Sequence, residues 1–425
     1  MPTDQVIPSV AANYVMIGGF LGAGKTTAMA RFAEWLRGRG HKVGLITNDQ
    51  GSQLVDSFTL RSRGFKVEEI PGGCFCCRFD SLREAAARLQ AADRPDTFLA
   101  EPVGSCTDLV ATVTYPLRRM YGDNFRVAPL SVVIDPIRAA RILGVELSAP
   151  ATLAGLATPA GQATPAGQAT PAGQATLAGH AIRRTSTFSP KVAYIYLKQL
   201  EEADVLVINK IDSLNAADLA RLDAALAERF PRATRFAISA RAGTGLEAWF
   251  THVLGTVQGA GLLRESAMAV DYDTYAEGEA LLGWLNATVA VDAGAAATAD
   301  GNRLVADLLS AVQQRLPGIE IAHLKMTLSP DDGSGELATG NLVRGDLAPE
   351  MGTQLSDGIG RAQLIINLRA EAAPDLLRSA VESALAARIV ADPGLKLTVE
   401  HLEHFRPGRP TPTHRLANAG TGAQA

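Results

Sequence analysis

Apolar and polar positions follow two different regimes along this chain, with the change near residue 270. In the first regime, short continuous apolar runs alternate with amphipathic stretches at helical spacing. Tyr14–Ile17, Lys42–Thr47, Phe65–Ile70, Asp96–Ala100, Leu130–Ile134, Val205–Ile208 and Ala233–Ile238 read as strands, and Thr26–Arg37, Asp80–Ala92, Lys191–Ala203 and Leu246–Leu254 as helices. Uninterrupted apolar strands separated by helices predict a mostly parallel, doubly wound α/β sheet covered on both faces, over residues 13–260. From Tyr272 the pattern gives strand Trp284–Val291, helix Asn302–Leu316, strands Ile321–Leu328 and Gln363–Leu368, helix Pro374–Ile389 and strand Lys396–Leu402. That β-α-β-β-α-β order predicts a smaller α+β ferredoxin-like domain over residues 268–406, with a looser hairpin region from Ser329 to Gly360. Residues 1–12 read as an N-terminal tail and 407–425 as a disordered one.

Residues 149–187 interrupt the first pattern. Ala151 to His180 is a tandem hexapeptide whose three central copies are Ala-Thr-Pro-Ala-Gly-Gln. A left-handed β-helix also has a six-residue period, but its turns need a large aliphatic residue that the central copies lack. The segment is expected to be a disordered, low-complexity insertion.

Composition narrows the function classes. A formal charge of −4 gives no basic surface for nucleic acid. No run of about twenty apolar residues is present, so no membrane span is expected. The first dozen residues lack a basic region followed by an apolar one, and the expected compartment is the cytoplasm. All four cysteines fall between Cys74 and Cys106, which in a reducing compartment suggests metal or redox chemistry rather than disulfides.

The candidate chemistry lies where strands end. Gly19, Gly24, Lys25 and Thr26 fill the fixed places of G-x-x-x-x-G-K-[ST], between a strand and a helix. In such a loop the backbone N–H groups of Gly19, Gly22, Ala23, Gly24 and their neighbours through Thr27 turn toward the phosphates of a nucleoside triphosphate. Lys25 would reach the β- and γ-phosphates and the Thr26 hydroxyl would ligate Mg²⁺. Asp49, where the second strand emerges, can hold that Mg²⁺ through water or help place the attacking water. Glu101, followed three residues on by Gly104, fits a nucleotide sensor: the acid contacts Mg²⁺ through water and the glycine N–H meets the γ-phosphate. Asn209-Lys210-Ile211-Asp212 follows a buried strand and matches the guanine-reading pattern N-K-x-D. Asp212 can accept from guanine N1–H and the exocyclic amine, Asn209 braces the phosphate loop and the Lys210 stem lies along the base. Ser239 and Ala240 then offer a backbone N–H to guanine O6. These residues predict GTP as ligand.

Cys74, Cys76 and Cys77 lie within four residues after a Gly-Gly bend, and three such thiolates can converge on one Zn²⁺-like cation. Cys106 either completes that site or is a buried structural residue. The strands leading into Cys74 and into Glu101 are expected to be neighbours in one sheet, with both loops at the same end as the phosphates. His401 and His404, three apart on a strand, point to opposite faces and are expected to be surface or structural residues.

Together, G-G-F-L-G-A-G-K-T-T, T-N-D-x-G, G-C-x-C-C, E-x-x-G, N-K-I-D and S-A-R resemble the CobW-type GTPases, relatives of the nickel chaperones HypB and UreG, over roughly residues 13–258. The resemblance implies a P-loop GTPase that couples GTP hydrolysis to delivery of a transition metal, Zn²⁺ or Co²⁺, to a client protein. It implies Cys74, Cys76 and Cys77 as ligands of that metal, Lys25 and Thr26 on phosphate and Mg²⁺, and Glu101 as switch acid. A second copy of the chain is a further candidate partner. The alternative is a GTPase that gates a cofactor-dependent enzyme by docking, without metal transfer. This chain departs from the family in carrying Asn48-Asp49 for Asn-Glu and Glu101-Pro102-Val103-Gly104 for Glu-Thr/Ser-x-Gly, and it lacks a His-rich stretch in its second domain.

Overall fold

The structure is a computed structural model that describes residues 11–48, 55–148, 188–257, 266–294 and 298–418, with the side chains at 56, 58 and 59 left aside. Asp49, the insertion 149–187 and residues 419–425 lie outside the described residues.

The first unit contains strands β1 (Ala12–Gly18), β2 (Val43–Asn48), β3 (Lys66–Ile70), β4 (Thr97–Glu101), β5 (Phe125–Val127), β6 (Ser131–Ile134), β7 (Val205–Ile208) and β8 (Thr234–Ala237). Its helices are α1 (Lys25–Arg37), α2 (Val55–Ser62), α3 (Phe79–Asp93), α4 (Tyr115–Tyr121), α5 (Pro136–Leu143), α6 (Pro190–Glu202), α7 (Ala216–Arg229) and α8 (Leu246–Val257). The eight strands are parallel, in the order β3-β2-β4-β1-β6-β7-β8 with β5 also on β1. Helices cover both faces, which is why β1, β4, β6 and β7 are apolar nearly throughout. On one face Phe32 of α1 stacks on Phe250 of α8 with ring centres 4.1 Å apart, and Trp249 closes the layer.

The strand order corrects one expectation. The strands leading to Cys74 and to Glu101 were expected to be neighbours, but β2 lies between β3 and β4 and pairs with both. Both loops still leave the carboxyl end of one sheet, together with those after β1, β2, β6, β7 and β8.

The second unit begins with α9 (Tyr272–Leu281), a helix absent from the sequence reading, and continues as β9 (Leu282–Asp292), α10 (Gly301–Gln314), β10 (Ile321–Pro330), β11 (Ala338–Leu342), β12 (Glu350–Met351), β13 (Arg361–Glu371), α11 (Pro374–Ala391) and β14 (Lys396–Phe405). Its antiparallel sheet runs β12-β11-β10-β13-β9-β14. The four strands of the β-α-β-β-α-β pattern thus take the ferredoxin-like order fourth, first, third, second. The segment expected as a loose hairpin region adds β11 and β12 at the edge beside β10. On β14, His404 Nε2 lies 3.0 Å from Asp375 Oδ1 of α11.

The two units are fastened beside the glycine loop. Arg138 of α5 is buried and donates to the carbonyls of Leu21 at 2.6 Å, Ile321 at 3.1 Å and Val343 at 2.6 Å. One cation therefore ties the glycine loop to β10 and to the end of β11. Asn367 of β13 accepts from the Val55 N–H that opens α2, at 3.1 Å.

The expected disordered tail is corrected for residues 407–418. Thr413 N–H donates to Cys76 O at 2.8 Å, Leu416 N–H to Ala111 O at 2.9 Å, and Ala267 N–H to Ala417 O at 2.8 Å. Tertiary backbone bonds, which composition does not reveal, hold this strap in place.

Candidate functional site

The glycine loop carries Gly19, Gly22, Ala23 and Gly24 between β1 and α1, with Lys25, Thr26 and Thr27 in the first turn of that helix. Gly24 has φ 92°, and a Cβ there would stand 2.4 Å from Asn209 Nδ2. Only glycine fits that position. No side chain caps the start of α1, so its N–H groups and dipole face the loop, a cradle suited to phosphate. Lys25 is buried, with Nζ 3.5 Å from Phe20 O and 3.7 Å from Glu101 Oε1. Thr26 donates to the same Glu101 oxygen at 3.1 Å. An ammonium, a hydroxyl and a carboxylate thus meet at the mouth of the loop, a donor set that fits Mg²⁺ on a triphosphate. Gly104 is buried against that loop: a Cβ on it would stand 2.7 Å from the Leu21 side chain and 3.0 Å from its backbone nitrogen.

The residues expected to read guanine converge on the loop. Asn209 Nδ2 donates to Ala23 O at 2.9 Å, while its Oδ1 accepts from Ala240 N–H at 3.0 Å. Lys210 donates to Gly22 O at 2.7 Å and to Asp135 Oδ2 at 2.8 Å. Asp212 is exposed in the turn Ile211–Ser213, and Ser239 Oγ accepts from Ala242 N–H at 3.1 Å. Burial pushes the Asp135 carboxyl upward, but Lys210, Arg138 and Arg344 outweigh it and hold the group below the usual carboxylate range. Asp135 is therefore the fixed anion beneath these cations.

The thiols converge too, and more of them than the G-C-x-C-C element alone supplies. Cys74 Sγ is 3.2 Å from Cys77 Sγ, and Cys76 Sγ is 3.6 Å from it. Cys74, Cys76 and Cys106 have sulfurs all within 4.8 Å of one another. Contacts with Cys106, then Cys76 and Cys77, pull Cys74 well below the ordinary thiol range. Cys76 is pushed well up, first by its contact with Cys106. Cys77 is pushed up to about 11, first by its contact with Cys74. Burial pushes Cys106 well up. The sulfurs thus crowd one small volume, where a bound cation would replace their protons.

Residues 13–236, more than half of the chain, match the family model described as CobW/HypB/UreG, nucleotide-binding domain. The chain belongs to the CobW/HypB/UreG family. It is 33% identical over 90 residues to the zinc chaperone YeiR of Escherichia coli (strain K12), covering 21% of this chain and 27% of that protein. It is 27% identical over 242 residues to the zinc chaperone CobW of Pseudomonas aeruginosa, covering 53% and 56% respectively. The chain thus spans at most a little over half the length of these curated relatives. Among solved structures, the Zn(II)-bound YjiA GTPase of E. coli aligns with 88% of this chain and 99% of its own at 13% identity and a TM-score of 0.35. HypB of Helicobacter pylori, in complex with nickel, aligns with 60% and 92% at 15% identity and a TM-score of 0.39. Superpositions this loose carry no conclusion about the site. No helix among the described residues is long and apolar enough to cross a membrane.

In this member of the CobW/HypB/UreG family, Asn48 of the T-N-D-x-G motif and several residues outside any motif hold the segments around the thiols and Gly104. Asn48, the last residue of β2, donates to Ile70 O at 2.8 Å and Gly73 O at 2.6 Å and so shapes the cysteine loop. Gln199 of α6 donates to Gly104 O at 2.9 Å and Cys106 O at 2.8 Å. Glu279 of α9 accepts from Ser105 Oγ at 2.6 Å. Glu202 of α6 accepts from Thr107 Oγ1 at 3.2 Å and Val110 N–H at 3.3 Å. Burial and then the Asp108 charge push Glu202 up to about 8, and burial pushes Glu279 well above the carboxylate range. A carboxylate inside a helix has no local signature of burial, so neither Glu202 nor Glu279 was readable in advance. The strap adds a further contact: Thr411 N–H donates to Cys77 Sγ at 3.2 Å.

Proposed function

We propose that this chain hydrolyses GTP and couples the turnover to delivery of a Zn²⁺- or Co²⁺-like cation from Cys74, Cys76 and Cys77 to a client protein. One observation carries the reading: the thiol cluster and the glycine loop share the carboxyl rim of one sheet, and the turn bearing Gly104 and Cys106 touches both. The phosphates would rest on the N–H groups from Gly19 to Thr27, with Lys25 as counter-charge. Thr26, Glu101 and Asp49 would hold Mg²⁺, which offsets phosphate charge when bound. Asp212 would select guanine, with Asn209 keeping its segment in register with the loop. Loss of the γ-phosphate would free the turn at Gly104, and the change would reach the sulfurs through the residues that follow it. The second domain, fastened through Arg138 and Asn367, is the surface suited to choosing the client.

Linkage supplies the test. If metal and GTP bias one element, metal must change GTP affinity by the same factor as GTP changes metal affinity. GTP-analogue affinity, titrated with and without Zn²⁺, is expected to differ by about 5- to 100-fold. Identical affinities would sink the coupling.

A further inference from the structure

Cys106 stands outside the G-C-x-C-C element, on the loop that follows Glu101, yet its sulfur lies in the same cluster. Four sulfurs tetrahedrally disposed around a zinc-sized ion at about 2.3 Å would be about 3.8 Å apart. The two separations around Cys77, 3.2 Å and 3.6 Å, lie close to that value, and Cys74, Cys76 and Cys106 have their sulfurs within 4.8 Å of one another. Cys106 touches Cys74 and Cys76, and Cys77 touches the same two sulfurs, so donors from two different loops meet at the Cys74–Cys76 pair.

The loop bearing Cys106 is a short, tightly tied unit. Cys106 N–H donates to Val103 O at 2.9 Å, so Val103 to Cys106 form one turn. Gly104, inside that turn, abuts Leu21 of the phosphate loop with no room for a methyl group. Gln199 holds the carbonyls of both Gly104 and Cys106. A shift of Gly104 on the phosphate side must therefore carry Cys106 with it on the sulfur side. Ser105, between them, is bound to Glu279, and α9 runs directly into the second domain at β9.

We propose that Cys106 is a fourth metal ligand, completing a four-sulfur site, and that it is the one ligand whose engagement follows the state of the nucleotide. The proposal rests on the carrier reading above and deepens it. Each thiol that joins the metal does so as thiolate and gives its proton to solvent. With Cys106 engaged, the site is closed, as in structural tetrahedral centres; with Cys106 withdrawn, three sulfurs remain and one position opens to a client ligand.

The test uses the full reduced chain and Co²⁺ alone as probe, since thiolate-to-cobalt charge-transfer bands grow with the number of sulfur ligands. C106S is expected to lower that intensity by about a quarter and weaken Co²⁺ binding by at least about 10-fold, leaving a three-sulfur spectrum. In the wild type the intensity is expected to differ by about a quarter between GDP-loaded and GTP-analogue-loaded protein, and in C106S not to respond. C74S separates the two levels of the reading. If C74S loses Co²⁺ while C106S matches wild type in spectrum and affinity, the fourth ligand is refuted and the cysteine trio stands. If C74S also matches wild type, the carrier reading itself fails. C106A, with its thermal melt recorded alongside, distinguishes a lost ligand from a lost fold.

Discussion

The hydroxyl of Thr26 donates to Oε1 of Glu101 across 3.1 Å, joining the first turn of α1 to the end of β4. The same oxygen lies 3.7 Å from Lys25 Nζ. These three groups meet although 75 residues separate Thr26 from Glu101, because β1 and β4 are adjacent parallel strands. Removing the charge while keeping the shape isolates its role. Glu101→Gln is expected to slow single-turnover GTP hydrolysis by about 100-fold or more, while GDP affinity stays within a few-fold. An unchanged hydrolysis rate would remove Glu101 from the machinery.

Asp212 is exposed in its turn and free to meet a base edge, while Asn209 three residues earlier is locked to Ala23 and Ala240. Guanine presents two donors to that carboxylate; xanthine presents a carbonyl where guanine has its amine. Asp212→Asn replaces one acceptor by an amide donor. GTP affinity is expected to fall about 10-fold or more and xanthosine triphosphate affinity to rise, measured by competition against a fluorescent nucleotide. Equal loss for both triphosphates would count against direct base reading.

What could be read in advance, and what could not, divides along the range of the interaction. Apolar strands covered on both faces leave continuous runs, so β1, β4, β6 and β7 were visible, and the glycine loop was visible because its geometry admits few residue types. The position of β2 between β3 and β4 depends on pairing across the sheet, which no local pattern encodes. The trio at residues 74–77 was legible from spacing alone. Cys106 joins it only because the loop after β4 returns to the same rim, and a single cysteine 29 residues downstream of Cys77 carries no such mark. Arg138, Gln199, Glu202 and Glu279 look like ordinary polar positions of amphipathic helices; the surroundings that bury them come from distant segments. The strap at 407–418 has the proline-rich, polar composition of a loose end, yet it is fixed by hydrogen bonds to Cys76, Cys77 and Ala111.

That strap bears on the most accessible thiol. Thr411 N–H is a donor to Cys77 Sγ at 3.2 Å, and Thr413 Oγ1 donates to Cys77 O at 3.2 Å. Arg415 secures the segment by donating to Asp108 Oδ2 at 2.7 Å. Proline at 411 deletes that N–H, together with the Thr411 hydroxyl that donates to Arg409 O at 3.2 Å. Thr411→Pro is expected to raise the rate of Cys77 alkylation by roughly 5-fold, matching a lost hydrogen bond of about 1 kcal/mol. Deleting residues 411–418 should raise it further. Peptide mapping after timed iodoacetamide treatment reads both, and rates equal to wild type in the two variants would show that the strap does not guard the sulfur.

Glu202 gives the fold a pH dependence of known sign. In the folded chain burial and the neighbouring Asp108 push its carboxyl up to about 8, whereas an unfolded glutamate keeps the ordinary value of 4.5. Between those two values the folded chain retains a proton that the unfolded chain has released. Stability from this group is therefore complete below pH 4.5 and declines as pH rises toward about 8, by up to roughly 1.4 kcal/mol per unit. Glu279 and Asp108, whose carboxyls burial also raises, add to the same trend. Glu202→Gln stays neutral at every pH, and its amide can still accept from Val110 N–H and donate to Thr107 Oγ1. The variant is expected to lose less stability than wild type between pH 5 and pH 8 and to be the more stable of the two at pH 8, as read from urea midpoints at both values. Parallel pH profiles for variant and wild type would mean that Glu202 is ionised in the folded chain, its charge already met by the Thr107 and Val110 donors.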